Sequence, residues 1–277
     1  MTHKIWLITG ANRGLGLAIA RAALDAGDSV VATARNPRAV TDALGAASPA
    51  LLPVALDVTS AEAADAAVSA ALAQFGRVDV LVNNAGYGQL GAFEEVGMDA
   101  MRRQFETNVF GLMTVTQAVL PILRRQRSGH IFNLSSIGGF RGGDRASAYA
   151  ASKFAVEGFS ESLGAELAAF GIRVTVVEPG FFRTDFLEDT SVQYGHIEIA
   201  DYTEASAATK AFYDDRNGKQ AGDPAKLGAA LVRLASDPKP PVRFPVGSDA
   251  VEVVEGKLAS VQTEVDRWRE LSLSTDF

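Results

Sequence analysis

The 277-residue chain contains no cysteine. Disulfides, thiolate metal sites and a cysteine nucleophile are therefore excluded, and no marker of an oxidising compartment remains. Histidine is scarce as well: His3, His130 and His196 are too few and too scattered for a His-Glu-x-x-His zinc helix, and no Gly-x-Ser-x-Gly elbow accompanies them. Each reads as a surface or strand-end residue, and no metal is expected. Long apolar runs are missing too. The longest conspicuous uncharged stretch, Val109 to Leu123, is 15 residues and is broken by Thr114, Thr116, Gln117 and Pro121. A membrane span needs about 18 or more, so this stretch reads as a buried helix and no membrane partner is expected. The start of the chain, which runs from Met1 almost directly into Lys4-Ile5-Trp6-Leu7-Ile8-Thr9, shows no cationic segment followed by a long apolar one, so a cytoplasmic location is expected. Positive charge is also in short supply: 26 Lys+Arg against 33 Asp+Glu give a net −7, which argues against a nucleic-acid partner.

What is present suits an ordinary folded protein. Hydrophobic residues make up 47% and charged residues 21%, enough for a sizeable core, and the length fits one large α/β domain. Short β-branched or Leu-rich runs alternate with Ala-rich stretches of helical character, the pattern of βαβ units feeding a parallel sheet. Seven strands are predicted: Lys4–Thr9, Ser29–Ala34, Leu52–Leu56, Asp79–Val82, His130–Leu134, Arg173–Val177 and Arg243–Val246. Gly27 marks the end of the first helix, Thr59-x-x-Glu62 resembles a capping box opening the third, and Asp223-Pro224 places a cap before an N1 proline. No repeat, low-complexity linker or charge run marks a domain boundary, so residues 1–277 read as one domain. Within it, residues 181–222 form a long connection rich in Phe and Tyr, read as a substrate-covering segment, and 250–273 form a C-terminal helix.

The first strand runs into Thr9-Gly10-Ala11-Asn12-Arg13-Gly14-Leu15-Gly16 and then a helix. Glycines in such a turn permit positive φ and close approach of backbone to a ligand, while the free N–H groups and dipole of the helix end favour a pyrophosphate. The spacing is Gly-x-x-x-Gly-x-Gly, unlike the usual Gly-x-Gly-x-x-Gly dinucleotide fingerprint. Further along stand Asn83-Asn84-Ala85-Gly86, Tyr149-x-x-x-Lys153 and Pro179-Gly180-Phe181-Phe182-Arg183-Thr184. Taken in this order, the four motifs resemble those of the classical short-chain dehydrogenase/reductase family, and they span residues 9 to 184. The downstream Pro240–Gly247 run is similar, more weakly, to oxidoreductases of its steroid dehydrogenase-like branch.

The resemblance implies an α/β, single-domain, Rossmann-like doubly wound fold with a central parallel sheet of about seven strands flanked by helices. It implies a nicotinamide cofactor held by Gly10, Asn12, Arg13, Gly14, Leu15 and Gly16, with Asp57 and Val58 around the adenine and Asn84, Ala85 and Gly86 on the adenosine side. Asp57 could instead cap the following helix, and Asn84 could be a turn residue, but their position at the carboxyl ends of strands favours binding. Pro179, Gly180 and Thr184 would position the nicotinamide. The second strand ends Thr33-Ala34-Arg35-Asn36 without the acid that usually accepts a ribose 2′-hydroxyl. Arg35, with Arg13, could instead pair with a 2′-phosphate, so NADP(H) is the expected cofactor, with NAD(H) possible.

Tyr149 and Lys153 lie four apart in a helix-compatible segment, Ser147 to Phe170, so they share a face. An ammonium roughly 4 Å from a phenol favours the phenolate by up to ~4 kcal/mol before desolvation is subtracted. The family's catalytic serine, 13 residues before the tyrosine, falls on Ser136 rather than Ser135, and its helix-interrupting asparagine on Asn108. The resemblance therefore implies Ser136 orienting a carbonyl oxygen, Tyr149 exchanging the proton, Lys153 tuning the tyrosine and binding the nicotinamide ribose, and Asn108 holding a relay water. Tyr87, Phe93, Ile137, Phe140, Phe182 and Phe186 suggest an apolar lining for a ketone or secondary alcohol, while Arg141, Arg145 and Arg183 leave room for an anionic substrate. An NADP(H)-binding sensor with little catalysis is the alternative. A homodimer or homotetramer is expected, through helices at 98–126 and 147–170.

Overall fold

The computed structural model describes residues 3–277. Nine strands occur among them: β1 (Ile5–Ile8), β2 (Ser29–Ala34), β3 (Leu51–Ala55), β4 (Val80–Asn83), β5 (Gly88–Gln89), β6 (Gly129–Leu134), β7 (Ile172–Pro179), β8 (Val192–Gln193) and β9 (Arg243–Val246). Ten α-helices separate them: α1 (Gly14–Asp25), α2 (Pro37–Leu44), α3 (Ala61–Phe75), α4 (Phe93–Val96), α5 (Met98–Phe105), α6 (Leu112–Gln126), α7 (Ser147–Leu167), α8 (Thr203–Arg216), α9 (Pro224–Ala235) and α10 (Ser248–Leu273). Seven strands form one parallel sheet in the order β3-β2-β1-β4-β6-β7-β9, a single Rossmann-like domain. All seven predicted strands are present. Pro53 and Pro245 fall on β3 and β9, the two edges, where a missing N–H breaks no interior ladder.

Strand periodicity sorts the core. In β1, Ile5 and Leu7 point to the face covered by α3, α6 and α7, while Trp6 and Ile8 point to the face covered by α1 and α9; all four are buried. Covering both faces explains why the strands read as unbroken apolar runs rather than as alternation. Sheet growth reverses between β1 and β4, and their carboxyl ends open a crevice at this switch point, where open α/β sheets bind ligands.

Three local features differ from the sequence reading. The third helix opens one residue later than the Thr59 capping box: Ser60 is the cap, its Oγ accepting from Ala63 N–H at 3.1 Å. Thr59 is instead occupied with Asp57, donating to its Oδ1 through both N–H (3.0 Å) and hydroxyl (2.8 Å). The helical stretch over 98–126 is interrupted around Asn108, as the resemblance implies, but the interruption is a π-helical turn at Glu106–Gly111, a form concentrated at functional sites. The segment 181–222 is ordered by pairing. Its β8 runs parallel to β5, with Gly88 opposite Val192 and Gln89 opposite Gln193, and α8 follows. Among the described residues no helix is long and apolar enough to cross a membrane.

Candidate active site

A cavity of about 1170 Å³ occupies the crevice and runs from the glycine-rich turn to α8. Of the candidate catalytic and cofactor-binding residues, only Gly16 and Asn108 are absent from its wall. Both support the wall from behind.

At the β1 end the backbone turns at Gly10 (φ +64°) and Gly14 (φ +55°), a conformation that side chains disfavour. A Cβ on Gly16 would lie 2.3 Å from Gly10 O and 2.4 Å from Asn84 Nδ2, so only glycine fits there. Thr9 and Asn84 lock the turn to the end of β4. Thr9 Oγ1 accepts from the N–H groups of Asn84 and Ala85, both at 2.9 Å, and Asn84 Nδ2 donates to Thr9 O (2.9 Å) and Gly10 O (3.1 Å). The amide of Asn84 is thus spent on holding the cradle. Helix α1 begins without a side-chain cap and without an acid in its first turn, leaving its orphan N–H groups and positive dipole end suited to a phosphate.

Beyond the turn, Arg35 is exposed on the cavity wall with no side-chain partner among the described residues. Arg13 is engaged: it donates to Thr190 Oγ1 at 2.6 Å and Thr190 O at 3.0 Å, linking the glycine-rich turn to the 181–222 segment. Val58 is buried against Gly111. Asp57 faces the cavity while its Oδ1 organises the entry to α3, so capping and wall position coexist.

The chemical end is built on α7 and the strand ends beside it. Ser136 follows β6 and accepts from Gly138 N–H at 3.1 Å, with its hydroxyl and the Tyr149 ring both beside Gly138. Ser135 is directed instead to the neighbourhood of Glu157. Lys153 is buried and its Nζ donates to Leu134 O at 2.7 Å, 5.8 Å from the centre of the Tyr149 ring. This geometry corrects the expected electrostatics of the pair. Burial pushes the Tyr149 phenol up to about 12, with the Ser136 hydroxyl opposing, and pushes Lys153 down to about 8, with Glu157 opposing. For both groups burial is the largest influence on the charge they hold. Asn108 sits in the π-helical turn, 2% exposed, with its amide fully engaged: Oδ1 accepts from Tyr87 N–H at 3.1 Å and Nδ2 donates to Tyr87 O at 2.9 Å. A relay water would therefore be held by its backbone and not by its side chain.

Behind Lys153 lies a charge cluster that sequence reasoning missed. Glu157, one turn further along α7, and Glu178 on β7 are almost wholly buried, and Arg243 on β9 pairs with both and with the exposed Glu161. Glu157 is pushed up to about 7, chiefly by burial. The four-residue spacing Tyr149, Lys153, Glu157, Glu161 was visible in the sequence. The sheet alone supplies Glu178 and Arg243.

On the substrate side Tyr87, Ile137, Phe182 and Phe186 line the cavity as expected, and Phe186 packs 6.0 Å from Tyr149 between ring centres. Phe93 and Phe140 do not. Phe93 is 55% exposed outside the site, and Phe140 lies under Arg243. Arg141 and Arg145 reach the wall, whereas Arg183 is turned away, donating to Gln220 O. Ala205, Thr209, Phe212 and Tyr213 of α8 complete the lining. Asp249 was also missed: its Oδ2 accepts from Phe181 N–H at 2.7 Å and holds the Pro179–Phe181 bend against α10. An acid in the first turn after Gly247 was its only signal in the sequence.

Residues 4–195 match the family model described as short chain dehydrogenase. The oxidoreductase BOA17 of Botryotinia fuckeliana is 44% identical over 98% of this chain and 99% of its own length. Among solved structures, a short-chain dehydrogenase from Streptomyces avermitilis superimposes with a TM-score of 0.91 at 43% identity, covering both chains completely. The 3-ketoacyl-(acyl-carrier-protein) reductase of Brucella melitensis, solved as a complex with NADH, gives a TM-score of 0.73 at 27% identity over 87% of this chain and 95% of that one.

Proposed function

Given that this chain belongs to the short-chain dehydrogenase family and is an oxidoreductase of it, we propose that it interconverts a hydrophobic ketone and the corresponding secondary alcohol with NADP(H). The observation that carries this reading is the meeting of Ser136, Tyr149 and Lys153 at one end of a cavity whose other end is a glycine cradle with unsatisfied helix N–H groups. The residues fit a dinucleotide. The α1 N-terminus, the Gly10–Gly16 turn and Ala85–Gly86 would hold its phosphates and adenosine, and Pro179, Gly180 and Thr184 would border its nicotinamide. When bound, the cofactor supplies or accepts the hydride.

In the reductive direction Ser136 holds the carbonyl oxygen through its hydroxyl, and Tyr149, kept as a neutral phenol by burial, gives that oxygen its proton. Lys153, fixed by Leu134 O, stabilises the phenolate left behind and delivers the replacement proton. Asn108 holds the π-helical turn against Tyr87 and reaches Ser152, the residue before the lysine, so the turn stands where a water chain to α7 could start. Phe186 packs against Tyr149 and Tyr213 belongs to the same apolar cluster, giving the phenol an apolar border. An apolar carbonyl compound suits the wall of Leu90, Ile137, Phe186, Leu187, Val192 and Phe212; the Brucella reductase acts on a ketone by its name. Arg35, with no acid at the end of β2, supports the preference for a 2′-phosphate. The exposed Phe110 and Phe154 on the two long helical segments support a homodimer or homotetramer.

The test is a panel of aliphatic and aromatic ketones and alcohols followed by nicotinamide absorbance. Turnover with NADPH at several times the kcat/KM of NADH is the expected result. Tight cofactor binding without turnover of any ketone or alcohol would overturn the reading in favour of a cofactor-binding sensor.

A further inference from the structure

Helix α10 has 26 residues, a length of about 39 Å. Its beginning is anchored. Ala250 is fully buried, Asp249 holds Phe181, and Val253 reaches the cavity wall. From Leu258 to Phe277 every residue is exposed. A helix in water draws little stability from propensity alone and depends on packing of an apolar face. Helix α10 has such a face, and among the described residues little of the chain covers it.

Val251, Val254, Leu258, Val261, Val265 and Trp268 recur at spacings of three and four, the a and d positions of a heptad repeat. Five of the six are widely exposed, from Val261 at 40% to Leu258 at 57%. Glu255, Gln262 and Arg269 flank this seam on one side, and Lys257 and Glu264 on the other. If two such helices run parallel, Glu264 faces Arg269 of the partner subunit. If they run antiparallel, Lys257 faces Glu264 of the partner subunit. Neither direction sets like charges together.

We propose that α10 is a self-association helix whose apolar seam pairs with the α10 of a second copy of this chain. An apolar stripe by itself would accept many partners; the match of its flanking charges to themselves selects an identical one. The contact is isologous, so it closes on two copies and does not propagate. The seam covers two and a half heptads, so the pairing is reversible and depends on concentration. It is separate from the cofactor site and does not rest on the function proposed above.

The test compares the full-length protein with L258K/V265K by sedimentation velocity across the micromolar range. Both positions are exposed and outside the core, so the variant should keep a single cooperative melting transition while its far-ultraviolet helicity falls where α10 is left unpaired. The expected result is that the weight-average mass of the wild type rises with concentration above that of the variant, approaching twice the variant's mass at the upper end of the range. Equal masses would overturn the proposal, whether α10 stays single or awaits an unrelated protein. A second readout uses tryptophan emission: Trp6 is fully buried, so a change in exposure reports Trp268. Dilution of the wild type should red-shift the emission to the position the variant already shows. Identical, dilution-independent spectra would count against pairing.

Discussion

Arg243 is the cation that faces the two buried carboxylates of Glu157 and Glu178, and replacing it with leucine isolates their contribution. The Glu157 and Glu178 side chains are 5% and 1% exposed, while Glu161 is 65% exposed and counts for little. Removing one partner from a buried charge pair costs about 3–5 kcal/mol, because the other charge is left uncompensated. Arg243 is itself 33% exposed, which brings the expectation to the lower end, about 3 kcal/mol. For a chain of this size that is a fall in melting temperature of roughly 6–12 °C. The loss should depend on pH with a definite sign. Burial holds Glu157 at about 7 against an ordinary 4.5, so the folded protein takes up a proton more readily than the unfolded chain. The penalty for burying its charge is absent below about 4.5, grows through the interval, and is complete above about 7. Urea denaturation of Arg243→Leu and wild type at pH 8 and pH 5.5 should show the full difference at the higher pH and a much smaller one at the lower. A loss below about 1 kcal/mol at pH 8, or one of the same size at both pH values, would refute this account of the cluster.

Other expectations concern the site. Tyr149→Phe removes the proton donor and should lower kcat at least ~100-fold with cofactor affinity retained, measured by steady-state kinetics beside a cofactor titration; more than a few per cent residual activity would reject the assignment. Gly16→Ala drives a Cβ into Gly10 O and Asn84 Nδ2 at 2.3 and 2.4 Å. It should weaken cofactor binding at least ~10-fold and lower stability by about 1–3 kcal/mol, read by calorimetry and melting. Arg35→Asp should shift the NADPH/NADH ratio of kcat/KM by about 10- to 100-fold toward NADH, the worth of a charge-assisted hydrogen bond. Lys153, lowered to about 8 by burial, is cationic below that pH and neutral above it. Reductive activity should therefore decline as pH rises past about 8, and Lys153→Met should remove that limb of the pH profile.

Much of this is legible in the order of the residues alone. The seven strands follow from apolar runs that are unbroken because helices cover both faces of the sheet, and the glycine positions from backbone angles or close contacts that side chains cannot accept. The π-helical interruption at Asn108 was not readable from periodicity, since an inserted residue leaves no mark in composition. The assignment of Phe93 and Phe140 to the substrate wall failed for a related reason: position near a motif does not fix the direction of a side chain. Phe93 opens a short helix toward solvent, and Phe140 lies beneath Arg243.

The order of elements, the glycine-rich turn and the neighbouring placement of Tyr149 and Lys153 on α7 are local matters, set by residues within a turn or a helix of one another, and the sequence alone determined them. The tertiary structure decided what depends on meetings between distant segments. It tied Arg13 to Thr190 and Asp249 to Phe181, and brought Glu157, Glu178 and Arg243 from three elements into one buried cluster. It also reversed the expected balance at Tyr149 and Lys153. Spacing along a helix brings two groups near each other, but the water that the surrounding fold excludes determines which charge states they can hold.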